Sequence, residues 1–302
     1  MMSREWRGML WGFVAVVSFS LTLPATRAAA PHLGMGFVAF GRAIGAGLVA
    51  LLVLWLTRQQ RPQRRDLIAL SAIALGVVVG FPFLTTFAMF YVPAAHGAVV
   101  VGLLPLSTAI AGALVAGERP SVGFWLTSAA GTGVLLAFVL DRAEGNLHIA
   151  DAALIGAVAC AAIGYALGGR LALRLGGWQV ISWALVVSLP VLCAMAPLLV
   201  EWPARGAPWS AWAGFVYITL VSQFIGFFAW YRGLALGGIA RVSQTQLTQL
   251  FLTLGASALL LGETLEPRLL IFGAAVVVIV AFGTHLRVER KPSMQQRTGA
   301  MP

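Results

Sequence analysis

The chain has 302 residues, of which 60% are hydrophobic and only 10% charged, and its mean hydropathy is +0.90. This composition excludes a soluble globule with a hydrated surface and leaves an integral membrane protein whose first partner is the lipid bilayer. A formal net charge of +10 could point to nucleic acid, but the basic residues are dispersed among short loops instead of forming one patch, which argues for no nucleic-acid partner.

A helix crossing the hydrocarbon core needs about 20 apolar residues. The sequence supplies ten such blocks, at residues 7–27, 33–56, 67–90, 94–116, 121–140, 150–171, 178–200, 210–231, 237–261 and 268–286, separated by short polar or Gly/Pro breaks. The slightest break is Tyr91-Val92-Pro93, between the third and fourth. The first block is long, and Ala28-Ala29-Ala30 leads directly into the second, so it reads as a retained span and not a cleaved signal. The fold class expected is an all-α polytopic membrane protein.

Of the 20 basic residues, only Arg27, Arg142, Arg205 and Arg268 fall in outer loops if the amino terminus is cytoplasmic, and Arg42 lies inside a span. The remainder, including Arg58, Arg61, Arg64 and Arg65, fall inside, so both termini are expected in the cytoplasm. Cys160 and Cys193 sit in apolar blocks and imply neither a disulfide framework nor a metal site.

Gly117-Glu118 and Gly262-Glu263 lie 145 residues apart, and each closes an apolar stretch opening at Ala94-Ala95 or Ile239-Ala240. At that offset Ala111 falls on Ala256 and Leu114 on Leu259, which reads as a duplication. The units expected are residues 1–146 and 147–290, followed by a cytoplasmic, disordered tail at 291–302. Ten spans give five per copy. An odd number makes the second copy enter from the opposite side, so two inverted five-helix repeats are expected around a central cavity.

The run Ala88-Met89-Phe90-Tyr91-Val92-Pro93-Ala94-Ala95, then Leu103-Leu104-Pro105-Leu106, then Gly117-Glu118, with a looser second copy ending in Leu261-Gly262-Glu263, resembles the EamA-type transporters of the drug/metabolite transporter superfamily. The resemblance spans nearly the whole chain. Arg42 is similar to the family's arginine in the second span, although no arginine matches it in the second half and Leu250 stands where Pro105 would repeat. The resemblance implies ten helices in a bacterial inner membrane and a cavity lined by the first, third, fourth, sixth, eighth and ninth spans. Its amino-acid exporters, of the YddG-like aromatic kind, are the nearest branch.

Candidate site residues follow the spans. In the second, Arg42 lies about 12 Å from the outer end at helical rise; it is either a fork-shaped donor for a substrate carboxylate or an arginine that bonds carbonyls or snorkels outward. The third and eighth are aromatic, and Phe83 and Trp230 beside Thr85, Ser222 and Gln223 suit either packing or a pocket for hydrophobic amino acids. His96 opens the fourth at the outer face as a gate, a substrate contact or an interfacial histidine, with Arg241 in the matching inner place. Pro105 is the expected hinge, and Gly117, Glu118, Gly262 and Glu263 are gate residues or helix ends. Tyr165 of the sixth is a further cavity candidate. In the ninth, Ser243, Gln246, Gln249 and Thr253 share one face, where amides and hydroxyls either bond neighbouring helices or bind a zwitterion in a wet cavity.

No Asp or Glu is expected deep in a span, which argues against a carboxylate proton relay and for facilitative movement. No P-loop is present, so no cofactor is implied. The expected function is export of amino acids and related small metabolites by alternating access. Efflux of drug-like aromatic compounds is the alternative; an intramembrane enzyme is disfavoured because no catalytic constellation is read.

Overall fold

The computed structural model describes residues 3–116, 149–203 and 206–285, with isolated positions between 119 and 137 and the pair Val288–Glu289. Gly117, Glu118, most of the fifth expected span and the tail 291–302 lie outside the described residues. Helices dominate: α1 (Arg4–Ser20), α2 (Thr22–Leu33), α3 (Met35–Leu56), α4 (Arg64–Ile73), α5 (Phe81–Tyr91), α6 (Ala94–Val101), α7 (Leu104–Ala116), α8 (Ile149–Leu175), α9 (Gly177–Leu199), α10 (Trp209–Val216), α11 (Gly226–Gly237), α12 (Ile239–Ser243), α13 (Leu247–Leu261) and α14 (Pro267–His285). One two-residue antiparallel ladder joins β1 (Arg119–Pro120) to β2 (Val288–Glu289).

Seven helical stretches among the described residues are long and apolar enough to cross a membrane: Arg4–Leu33, Met35–Leu56, Arg64–Tyr91, Ala94–Val115, Ile149–Leu175, Gly177–Leu199 and Trp209–Gly237. The ninth expected block is instead divided, because α12 gives way to a 3-10 turn at Gln244–Gln246 before α13. The first is longer than expected: Ala28-Ala29-Ala30 is helical within α2, and Arg27 belongs to that helix and not to an outer loop.

Lipid offers no hydrophobic drive between helices, so close packing and polar contacts must hold them together. Small residues supply the first. Gly8 and Gly12 of α1, four apart, face Gly233 and Gly237 of α11 with the same spacing; a Cβ on Gly8 would lie 2.5 Å from the Gly237 Cα. Gly76 meets Gly164 of α8 in the same way, and Gly47 of α3 meets Leu185 and Leu189 of α9. Exposed Leu, Trp and Val side chains cover the periphery, as expected of a lipid-facing surface.

Prolines free backbone carbonyls inside the bundle, and distant side chains take them. Pro24 has no N–H for the Ser20 carbonyl, the chain kinks at Leu21, and the Thr253 hydroxyl donates to that carbonyl at 2.9 Å. Pro93 likewise frees the Met89 carbonyl, to which Arg27 Nη1 donates. Between α4 and α5 the chain is π-helical over Ala74–Gly80, and Phe81 N–H bonds Gly76 O. The next donor in that register would be Pro82; the Val77 carbonyl accepts instead from Gln223 Nε2 at 3.0 Å.

Candidate central cavity and its two ends

Gln223 belongs to a second π-helical stretch, Tyr217–Ile225, between α10 and α11. The two stretches end 145 residues apart, at Gly80 and Ile225, the offset that relates the two Gly-Glu pairs. The Gln223–Val77 hydrogen bond joins them. π-Helical turns widen a helix and recur at functional sites, and here they border a narrow cavity of about 20 Å³, room for a water-sized occupant.

The walls come from five of the six spans that the resemblance implies, the first, third, sixth, eighth and ninth; the fourth is not among the described lining, and the second contributes Arg42. Phe19 and Thr22 flank the kink between α1 and α2; Val77 and Phe81 follow on the first π stretch and α5; Tyr165 comes from α8; Ser222, Gln223 and Phe227 from the second π stretch and α11; Gln249 from α13; and Arg42 from α3. Arg42 is 1% exposed. Its Nη2 approaches Ser222 Oγ at 3.5 Å, a long contact, while Nε and Nη1 have no partner. Ser222 Oγ is already paired with Thr22 Oγ1 at 2.8 Å. No acidic side chain is among the described lining residues. An arginine at the middle of a span costs on the order of 3 kcal/mol even on the mildest scale, and Arg42 sets only the one long contact to Ser222 against that cost.

Gln249 joins it, with Oε1 unpaired. Its neighbours on the same helical face do other things. Gln246 is buried in the 3-10 turn with both amide atoms unpaired, outside the lining. Ser243 donates to Ala240 O within its own turn. Thr253, expected in the cavity, is committed to the Ser20 carbonyl.

The other expectations divide similarly. Tyr165 lines the cavity, whereas Trp230 sits behind it, fully buried, with ring centroids 5.2 Å from Tyr165 and 6.1 Å from Phe19. Thr85 is corrected: its hydroxyl bonds Phe81 O and Pro82 O of its own helix, and it is not among the described lining of this cavity. Phe83 is corrected too, because it packs edge-on against Phe40 at 4.7 Å. Sequence reasoning missed Thr22 and Phe19; the signal for them was Pro24, which bends the first span and turns those side chains inward.

His96 lies at an end of the bundle, not in the cavity. Its Nε2 meets Asp151 Oδ1 at 2.7 Å, and both side chains are buried. Two carboxylates are nevertheless buried, at helix starts and not deep in a span: Asp151, two residues into α8, and Asp66, in the first turn of α4 and paired with Arg174, are each 2% exposed. At the same end Gly262 terminates α13 with φ +64°, a left-handed conformation suited to glycine. The chain turns there, and the Glu263 carboxylate accepts from the N–H groups of Ala94 and Ala95, both at 2.9 Å, capping α6. At the opposite end Arg241 pairs with Glu5. The fourth span is broken at Gly102–Leu103, and Pro105 sits in the first turn of α7 just beyond.

The sequence profile of the EamA-like transporter family matches residues 6–139 and again 148–284. The chain is 43% identical over 282 residues to the uncharacterized transporter YdeK of Bacillus subtilis (strain 168), covering 93% of this chain and 98% of that one. It is 26% identical over 273 residues to a probable terminal-alkyne amino-acid exporter of Streptantibioticus cattleyicolor, covering 88% and 89% respectively. A solved structure titled only as the crystal structure of a protein superposes with a TM-score of 0.65 at 21% identity, over 92% of this chain and 96% of its own; that likeness concerns the fold alone.

Proposed function

We propose, from the premise that the chain belongs to the EamA-like transporter family, that it exports amino acids and related small carboxylates by alternating access. The observation that carries this reading is Arg42, buried beside a cavity walled by both halves, with two donor nitrogens unpaired and no acidic neighbour in the described lining. A guanidinium offers a carboxylate two parallel hydrogen bonds, and Phe19, Phe81 and Phe227 supply an apolar wall. The likeness to an amino-acid exporter supports the same direction and substrate class. The aromatic wall equally suits drug-like compounds, but the buried positive charge disfavours cationic ones.

Alternation requires two similar halves and an end that opens on each side. Residues 1–146 and 147–290 form those halves in this proposal, ten spans in all, inverted, with both termini cytoplasmic in a bacterial inner membrane. Three features support it: the twofold match of the family profile, the two π stretches, and the ion pairs at opposite ends. His96 begins α6 in the first half and pairs with the start of α8 in the second; Arg241 begins α12 in the second and pairs with the start of α1 in the first. The pairs are crossed between halves, and each would have to part for its end to open. In the closed form described here the cavity admits only a water-sized occupant, so loading of substrate must separate the walls. With no acid in the described lining, passage down the substrate's own gradient is the simplest cycle, and His96 with Asp151 is where proton dependence would arise.

The test is flux of labelled phenylalanine, threonine and glutamate in proteoliposomes of the purified protein. Saturable flux of at least one supports the reading, and absence of flux for all three contradicts it.

A further inference from the structure

We infer that the cavity selects its ligand by total charge, taking a monoanion with an acylated or absent amine in preference to a free amino-acid zwitterion. This rests on the reading of Arg42 as the carboxylate site and narrows its substrate class.

Arg42 carries one positive charge at 1% exposure, and none of the described lining residues is acidic. A carboxylate brings the filled cavity to neutrality. A zwitterion brings in an ammonium as well, close to the guanidinium and in a medium that screens poorly, so the closed cavity keeps a net charge.

The described lining offers an ammonium no carboxylate; its side-chain acceptors are neutral, the hydroxyls of Thr22, Ser222 and Tyr165 and the amide oxygens of Gln223 and Gln249. The phenyl rings accommodate the apolar body in either case and do not discriminate between heads.

The experiment is isothermal titration calorimetry of the purified, detergent-solubilised full chain with three ligands sharing one side chain: N-acetylphenylalanine (anion), phenylalanine (zwitterion) and phenylalaninamide (cation). The expected order is N-acetylphenylalanine at least tenfold tighter than phenylalanine, with no detectable binding of the amide. In Arg42→Gln the anion preference disappears, and in Arg42→Lys it persists at weaker affinity. That pattern separates a charge role from a structural one, since a general loss of fold would abolish binding of all three without reordering them. Phenylalanine binding as tightly as its acetylated form, or tighter, overturns the inference and leaves the amino-acid reading standing. Binding of none of the three overturns both.

Discussion

The His96 imidazole and the Asp151 carboxylate meet at 2.7 Å, both buried, where the first helix of one half and the fourth span of the other begin. Arg241 and Glu5 pair at the opposite end, with both side chains exposed. Relative to His96, Arg241 lies 145 residues on, and relative to Glu5, Asp151 lies 146 on. In the proposed inverted repeat the two pairs are near-counterparts with their sequence order exchanged.

His96 Nε2 and Asp151 Oδ1 tie the start of α6 to the start of α8. Glu263, which caps the same helix start, adds a second negative group facing that end. Asp151→Asn weakens the tie and is expected to change the initial flux rate several-fold. An unchanged initial rate in Asp151→Asn would remove the pair from the gate.

Glu263 makes two charge-assisted bonds to one helix terminus. Glu263→Ala is expected to cost about 1–3 kcal/mol, visible as a lowered Tm, and Glu263→Gln, which keeps one acceptor, less. Equal Tm values for wild type and Glu263→Ala would show the cap to be energetically idle.

The proline-freed carbonyls give a sharper test of packing. Thr253→Val leaves Ser20 O without a donor and is expected to cost about 1–3 kcal/mol. Pro24→Ala restores an N–H four residues on, so in the Pro24→Ala background the same Thr253→Val change should cost measurably less. A double-mutant cycle on unfolding free energy reads the coupling. Additive effects would mean the two changes act independently.

These carbonyls also show what the sequence could and could not reveal. Apolar block length made most spans legible, and the Gly-Glu offset pointed to a second copy, because both are properties of residues near one another in the chain. The partners of Ser20 O, Val77 O and Met89 O lie 233, 146 and 62 residues away. Proline positions announced that a carbonyl would be free, but only the packing says which side chain takes it. That is why Thr253 was expected in the cavity and is found at a kink, and why Thr85 and Phe83 were expected in a wall they do not reach. Arg42 was legible because a lone charge in an apolar block is costly wherever it points; its unpaired nitrogens were not. Asp151 was missed as a partner because a carboxylate two residues inside a helix start reads as interfacial until another helix covers it.

Close approach of α1 and α11 depends on glycine at both faces. Gly8→Leu is expected to separate them and lower stability by about 1–3 kcal/mol or more, read as a fall in Tm or in yield of monodisperse protein. Wild-type behaviour of Gly8→Leu would contradict the contact.

The central claim is that Arg42 holds the carboxylate of the transported molecule. The direct measurement is saturable flux of labelled phenylalanine into proteoliposomes of wild type and Arg42→Gln, alongside the Tm of each. The account predicts kcat/KM at least tenfold lower in Arg42→Gln, with Tm unchanged or raised because an unpaired buried charge has been removed. Wild-type flux in Arg42→Gln would contradict it, as would a fall in flux matched by an equivalent loss of stability.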